Sequence, residues 1–267
     1  MARTRLYVLL GMTICIAGGV AFLFAGKPAY REAVNGGNLL VEQSASIQRT
    51  ATRAPDEYKA SVARLEAERR SLASRYESAG PSERSAVVTE ARTLLSRAIY
   101  DDLFPAWYGT PWDFNGTSEI PQQGKIACGY FVSTVLRDAG LKVERVRLAQ
   151  QASENIILSL TTDRYVKRFR HVPIGKFVDD VTQSGPGVYI VGLDIHVGFI
   201  VNTGDEVYFI HSSYVDPPYT VVKERAIDSR ILAGSNYRVL GNVLADDRLI
   251  GNWLSGKAIS TKVGSSN

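Results

Sequence analysis

A chain of 267 residues, 45% hydrophobic and 22% charged, has the composition of an ordinary globular protein and the length for one or two domains. Its formal net charge is +4. Two of the positive charges, Arg3 and Arg5, stand at the extreme N-terminus, so the rest of the chain lacks the basic excess of a nucleic-acid-binding protein. There are two cysteines, Cys15 inside an apolar run and Cys128, which excludes a disulfide-stapled scaffold.

Residues 6–26, LYVLLGMTICIAGGVAFLFAG, carry no charge and follow the two arginines. A basic n-region before an apolar stretch is a targeting pattern, and the run is long enough to span about 30 Å of hydrocarbon. Small residues suited to cleavage are poorly placed, which favours a signal-anchor over a cleaved signal peptide. Ile14 before Cys15 argues against a lipoprotein site. Positive charges ahead of the run keep the N-terminus inside. The expected location is therefore exported, periplasmic or otherwise extracytoplasmic, and membrane-anchored or secreted.

Residues 27–55, rich in small and polar types, read as a linker. From 56 to 103 the spacing of Tyr58, Val62, Leu65, Leu72 and Tyr76 is helical. Gly80-Pro81 interrupts it, and Val87, Val88, Ala91, Leu94, Leu95, Ala98 and Ile99 continue on a second helix. The expectation is an α-hairpin serving as a stalk or packing scaffold. FPAWYGTPWDFNG, from Phe104, is dense in turn residues and aromatics and reads as a packed loop. A helix is predicted from Cys128 to Ala139, closed by Gly140. Residues 149–170 are also read as helical, with RYVKRFRH as a solvated basic face.

The second half turns β-rich. GVYIVGL, HVGFIV, EVYFIHSS, YTVVKE and YRVLGNVL have the β-branched and aromatic enrichment of strands. Helices followed by an antiparallel sheet predict an α+β fold over 104–256, with a polar, disordered tail at 257–267. No pattern for a cofactor is seen, and oligomeric state is not legible.

His196 and His211, two of three histidines, flank the segment VGFIVNTGDEVYFI. A hairpin turning on Thr203-Gly204 sets them directly opposite each other on one face. Two satisfied structural histidines would also fit, and a metal pair lacks the three or four ligands of a zinc site. The chemical alternative is a base and its orienter. One imidazole takes a thiol proton or pairs with a thiolate, while the other fixes its tautomer. Cys128, placed at a helix N-terminus where N–H groups and the dipole favour a thiolate, is the candidate nucleophile.

These motifs, CGYFV at Cys128–Val132, GTPWDFNG upstream, PGVYIV from Pro186, then HVGFI and FIHSS, resemble in content and order the NlpC-type cell-wall cysteine peptidases, a branch of the papain-like fold. The resemblance covers roughly 104–215. It implies Cys128 as nucleophile, His196 as general base and His211 as orienting residue. It also implies a peptidoglycan peptide or other amide as substrate. Ala127 stands where the family usually has Asp, and Val188 replaces the Asp of its Pro-Gly-Asp turn. Trp112 takes the place of a tyrosine that supports the oxyanion; an indole donates but cannot accept. Gln122 lies at the spacing of the papain oxyanion glutamine. The resemblance leaves room for an idle wall-binding scaffold on the same fold, or for a membrane-proximal acyltransferase.

Overall fold

The computed structural model describes residues 55–215 and 217–264. The apolar segment at 6–26 and nearly all of the linker lie outside the described residues. No described helix is long and apolar enough to cross a membrane.

The N-terminal hairpin forms as its spacing predicts. Helix α1 (Pro55–Ser78) and helix α2 (Pro81–Arg97) are separated by Gly80, with Pro81 in the first turn of α2, where a missing N–H costs nothing. A π-helical turn (Ala98–Leu103) carries the chain into the one-turn helix α3 (Phe104–Trp107). Next come α4 (Cys128–Asp138), α5 (Arg145–Ala149) and α6 (Ser153–Leu160). Strand β1 is Val166–Arg170, and α7 is Ile174–Gln183. Strands β2 (Gly187–Leu193), β3 (Val197–Asn202), β4 (Val207–Ser212) and β5 (Val221–Arg225) form a meander. Helix α8 (Arg230–Gly234), strand β6 (Tyr237–Gly241) and helix α9 (Asp247–Leu254) complete the fold.

The architecture is α+β. Its six strands pair antiparallel throughout, in the order β1-β6-β2-β3-β4-β5. Both faces are covered. Val188, Ile190, Val197, Phe199 and Val201 pack with α1, α2, α4, α6 and α9. Tyr189, Val191, Ile200 and Phe209 pack with Phe177 and Val181 of α7 and with Ile231 and Leu232 of α8. Strands buried on both faces read as continuous apolar runs, which is why GVYIVGL and HVGFIV show no alternation.

The reading of 149–170 as one helix is corrected. Helix α6 ends at Leu160, and RYVKRFRH enters edge strand β1. Only Phe169 of that strand is buried, so the segment lacks the apolar alternation that would mark it. Charged side chains on an edge strand also discourage pairing with another chain.

The hairpin shares the core of the domain that follows it. Leu65, Leu72, Val87, Ala91 and Leu95 are buried in one cluster with Phe131 and Phe199. The Tyr58 hydroxyl donates to Asp138 at 2.6 Å and accepts from Trp107 Nε1 at 3.2 Å. Arg69, 9% exposed, donates to the carbonyls of Trp253 and Leu254, capping the C-terminus of α9. Trp253 in turn donates to the Ala139 carbonyl at 2.7 Å. Helix α1 therefore holds the C-terminal end of α4 by two routes.

Because Leu95 is fully buried in this shared core, Leu95→Ala is expected to destabilise the protein by about 2–5 kcal/mol. Calorimetry should show one transition moved to lower temperature. A separate early transition for the hairpin alone would contradict a shared core.

Candidate active site

Helix α4 begins at Cys128, with Ala127 as its extended N-cap residue. The preceding loop fixes this start. Ala127 N–H donates to the Gly116 carbonyl at 2.9 Å, and the Ser212 hydroxyl at the end of β4 donates to the Ile126 carbonyl at 2.7 Å. Gly129 has a steric role, since a Cβ there would meet the Ala149 carbonyl oxygen at 2.3 Å. One turn on, Phe131 packs edge-on against Phe199 of β3 at 5.8 Å, and Phe104 lies 4.8 Å from Phe199. These rings seat the cysteine helix on the strand that His196 introduces.

The thiol is half-buried and unpaired. It lies against the backbone N–H groups of Val197, Gly129 and Cys128 itself. Burial nevertheless outweighs these donors and pushes the Cys128 pKa above its ordinary value. The expected helix-terminus thiolate is therefore corrected: desolvation wins, and the resting group is a thiol.

The two histidines meet, but not in the expected register. The turn is centred on Gly204-Asp205, with Thr203 N–H donating to the Glu206 carbonyl and Asn202 paired with Val207. Gly204 has φ +96°, the positive value that the first central residue of a type II′ turn requires. This moves the partner strand by two residues, which preserves faces. Extended along the strands, the register sets His211 across from Gly198. His196 is its diagonal neighbour on the same face.

Gly198 makes that diagonal contact possible. A Cβ there would lie 2.7 Å from the Phe209 ring, 2.8 Å from His211 Cβ and 2.9 Å from the Ile210 carbonyl oxygen. With no side chain between them, His196 Nε2 and His211 Nδ1 approach to 3.0 Å, rings perpendicular. His211 stacks on Phe209 with centroids 4.0 Å apart. Its Nε2 lies 3.1 Å from Glu224 Oε1 on β5. The Ser229 hydroxyl also hydrogen-bonds to this carboxylate.

His196 is 3% exposed and His211 fully buried. Burial lowers the pKa of both. The neighbouring His211 adds to this at His196, and Glu224 opposes it at His211. Burial pushes Glu224 upward, but its bond to His211 reverses this and holds the carboxyl below its ordinary range. His196 Nδ1 is the one buried side-chain polar atom without a hydrogen-bond partner among the described residues. At rest, then, the thiol takes hydrogen bonds from the backbone, and His196 Nδ1 meets no hydrogen-bond partner.

Trp112 lies one ring removed from this group. It packs on Tyr214 at 5.9 Å, and the Tyr214 ring lies 5.2 Å from His196. Burial pushes the Tyr214 pKa above its ordinary range, and the negative charge of a Cys128 thiolate adds to this. Gln122 is placed otherwise: it is exposed, and its amide nitrogen donates to the Ala106 carbonyl at 3.1 Å. Glu224 and Tyr214 were not legible from the sequence. A strand register carried into YTVVKE would have placed Glu224 beside the histidine face. Among the described residues, no group of three or more His, Cys, Asp and Glu is arranged to hold a metal. No family model matches the chain, and no curated protein or solved structure matches it either.

Two outcomes follow for stability. Gly198→Ala forces a methyl into the histidine pair and is expected to cost about 1–3 kcal/mol by overpacking, read from the urea midpoint. Wild-type stability would contradict the close approach. Both imidazoles have lowered pKa values in the folded state, so the unfolded chain takes up protons first as pH falls through about 6.5. Their stabilisation is complete above that pH and lost below it. The midpoint should therefore fall from pH 7 to pH 5; a rising midpoint would contradict neutral buried histidines.

Proposed function

We propose that this protein is a cysteine-dependent amidase or peptidase of the NlpC type. It acts by thiol acyl transfer on peptide bonds of the cell wall, on the outer side of the membrane. The observation that carries the reading is the buried, unpartnered Nδ1 of His196. Leaving an imidazole nitrogen desolvated without a bond costs about 1–3 kcal/mol, a cost that a proton-accepting role accounts for. The order Cys128, His196, His211 and the antiparallel sheet are compatible with the papain-like branch that the motifs resemble.

In this reading the substrate carbonyl enters beside the thiol. The Cys128 S–H bond breaks and its proton passes to His196 Nδ1 as sulfur bonds to the carbonyl carbon. The carbonyl π electrons move to oxygen, where the Cys128 backbone N–H is one donor. Collapse breaks the C–N bond, and the Nδ1 proton leaves with the amine. Water, activated by the same nitrogen, then cleaves the thioester. A raised Cys128 and a lowered His196 both disfavour a standing thiolate–imidazolium pair at rest.

A second reading, transfer of an apolar acyl group by the same thiol, draws on two exposed side chains. Phe114 is 77% exposed in the loop that carries Trp112, and Ile195, next to His196, is 80% exposed. Both readings share the thioester and differ in its acceptor.

Cys128→Ala is expected to abolish cleavage of purified muropeptides while leaving circular dichroism and the unfolding midpoint intact. His196→Ala should reduce turnover by roughly 10²–10⁴-fold, the range of a lost general base. Product masses distinguish hydrolysis from transfer to an added acyl acceptor. Equal cleavage by wild type and Cys128→Ala would refute the assignment, and wall binding without turnover by either would mark an idle scaffold.

A further inference from the structure

We infer that Glu224 is a positioning residue that sets the tautomers of both buried imidazoles and so leaves His196 Nδ1 as the bare nitrogen of its ring. This inference rests on the thiol acyl-transfer reading for its consequence, but not for its geometry.

The protons on the two rings can be counted. A neutral imidazole carries one N–H and one bare nitrogen, and its surroundings select which is which. Glu224 Oε1 lies 3.1 Å from His211 Nε2. A carboxylate only accepts, so His211 Nε2 must carry the hydrogen. His211 Nδ1 is then bare and accepts across 3.0 Å from His196 Nε2. His196 Nε2 must therefore be the protonated nitrogen of that ring, which makes Nδ1 the bare one. The unpartnered buried atom is thus the far end of a chain whose direction is fixed at Glu224.

The carboxylate itself is held in place. The Ser229 side chain, whose oxygen also caps α8 by accepting from Leu232 N–H, hydrogen-bonds to it. Glu224 pairs across the strands with Phe209, and His211 with Val222, so Glu224 reaches His211 along the same diagonal that His196 uses from the other side. When Nδ1 takes the thiol proton, His196 becomes an imidazolium donating to His211. Positive charge on the rings then faces the fixed negative charge of Glu224, and no second proton need move.

The test is nitrogen-15 NMR of the full chain labelled at its three histidines. Wild type is expected to show both buried rings as Nε2–H tautomers, with a directly bonded hydrogen on each Nε2 and a bare Nδ1. Glu224→Leu, which offers no acceptor, should lose that exclusive pattern at both His211 and His196. Glu224→Gln, whose amide oxygen can still accept from Nε2–H, should keep it. In muropeptide turnover Glu224→Leu should fall on the order of 10²-fold in kcat with little change in KM, the scale of a misdirected base. Glu224→Gln should fall less. A wild-type His196 protonated on Nδ1, or tautomers unchanged in a folded Glu224→Leu, would overturn the inference. If Glu224→Leu does not fold, the wild-type and Glu224→Gln spectra still decide it. Cleavage that survives Cys128→Ala would instead remove the functional reading and leave the tautomer result standing.

Discussion

A hydrogen bond between two imidazoles, drawn diagonally across a residue with no side chain, is the constraint on which this site depends. His196 and His211 can meet only because Gly198 leaves the space between them open. Everything around that bond serves to hold it. The type II′ turn at Gly204 sets the strand offset, Phe209 stacks beneath His211, and Glu224 closes the far end. Low dielectric strengthens such a network when each group is satisfied and penalises whichever group is not. Among the described residues, the one buried side-chain polar atom left unsatisfied is His196 Nδ1.

Cys128 is placed by a different device. Its helix is held at one end by tight backbone contacts around Ala127 and Gly129, and at the other by Tyr58 on Asp138 and Trp253 on Ala139. Between them, Phe131 rests on Phe199 and Phe104. The N-terminal hairpin thus contributes to the position of Cys128 through the other end of its helix. A core that joins hairpin, helix and strand also explains why the site tolerates a half-buried thiol and two buried histidines. The scaffold supplies the stability that such desolvated groups consume.

Much of this was legible in the chain itself. The strands from GVYIVGL to YTVVKE announce themselves by β-branched and aromatic runs, and the Cys128 helix by its spacing and Gly140. The register of the histidine pair is ambiguous in sequence, because Thr203-Gly204 and Gly204-Asp205 are both plausible centres, and the structure takes the second. A two-residue offset preserves faces, so either centre brings the two rings together. Other features were hidden for physical reasons. RYVKRFR shows no alternation because edge strand β1 buries only Phe169. Helix α7 is short, and its two buried residues, Phe177 and Val181, are too few for a period to emerge. The thiol's upward shift depends on three-dimensional burial, which a helix-terminus argument cannot weigh. Glu224 belongs to the histidine group only through the β4–β5 register, separated from His211 by a loop whose length masks it.

The central claim is that Cys128 carries the acyl group during turnover. The most direct measurement is acid-quenched mass spectrometry of the protein after brief mixing with wall stem peptides. An adduct is expected on the peptide containing Cys128, of the mass of the acyl fragment and released by hydroxylamine as a thioester is. Turnover with no adduct on Cys128, or with a hydroxylamine-stable one elsewhere, would contradict it.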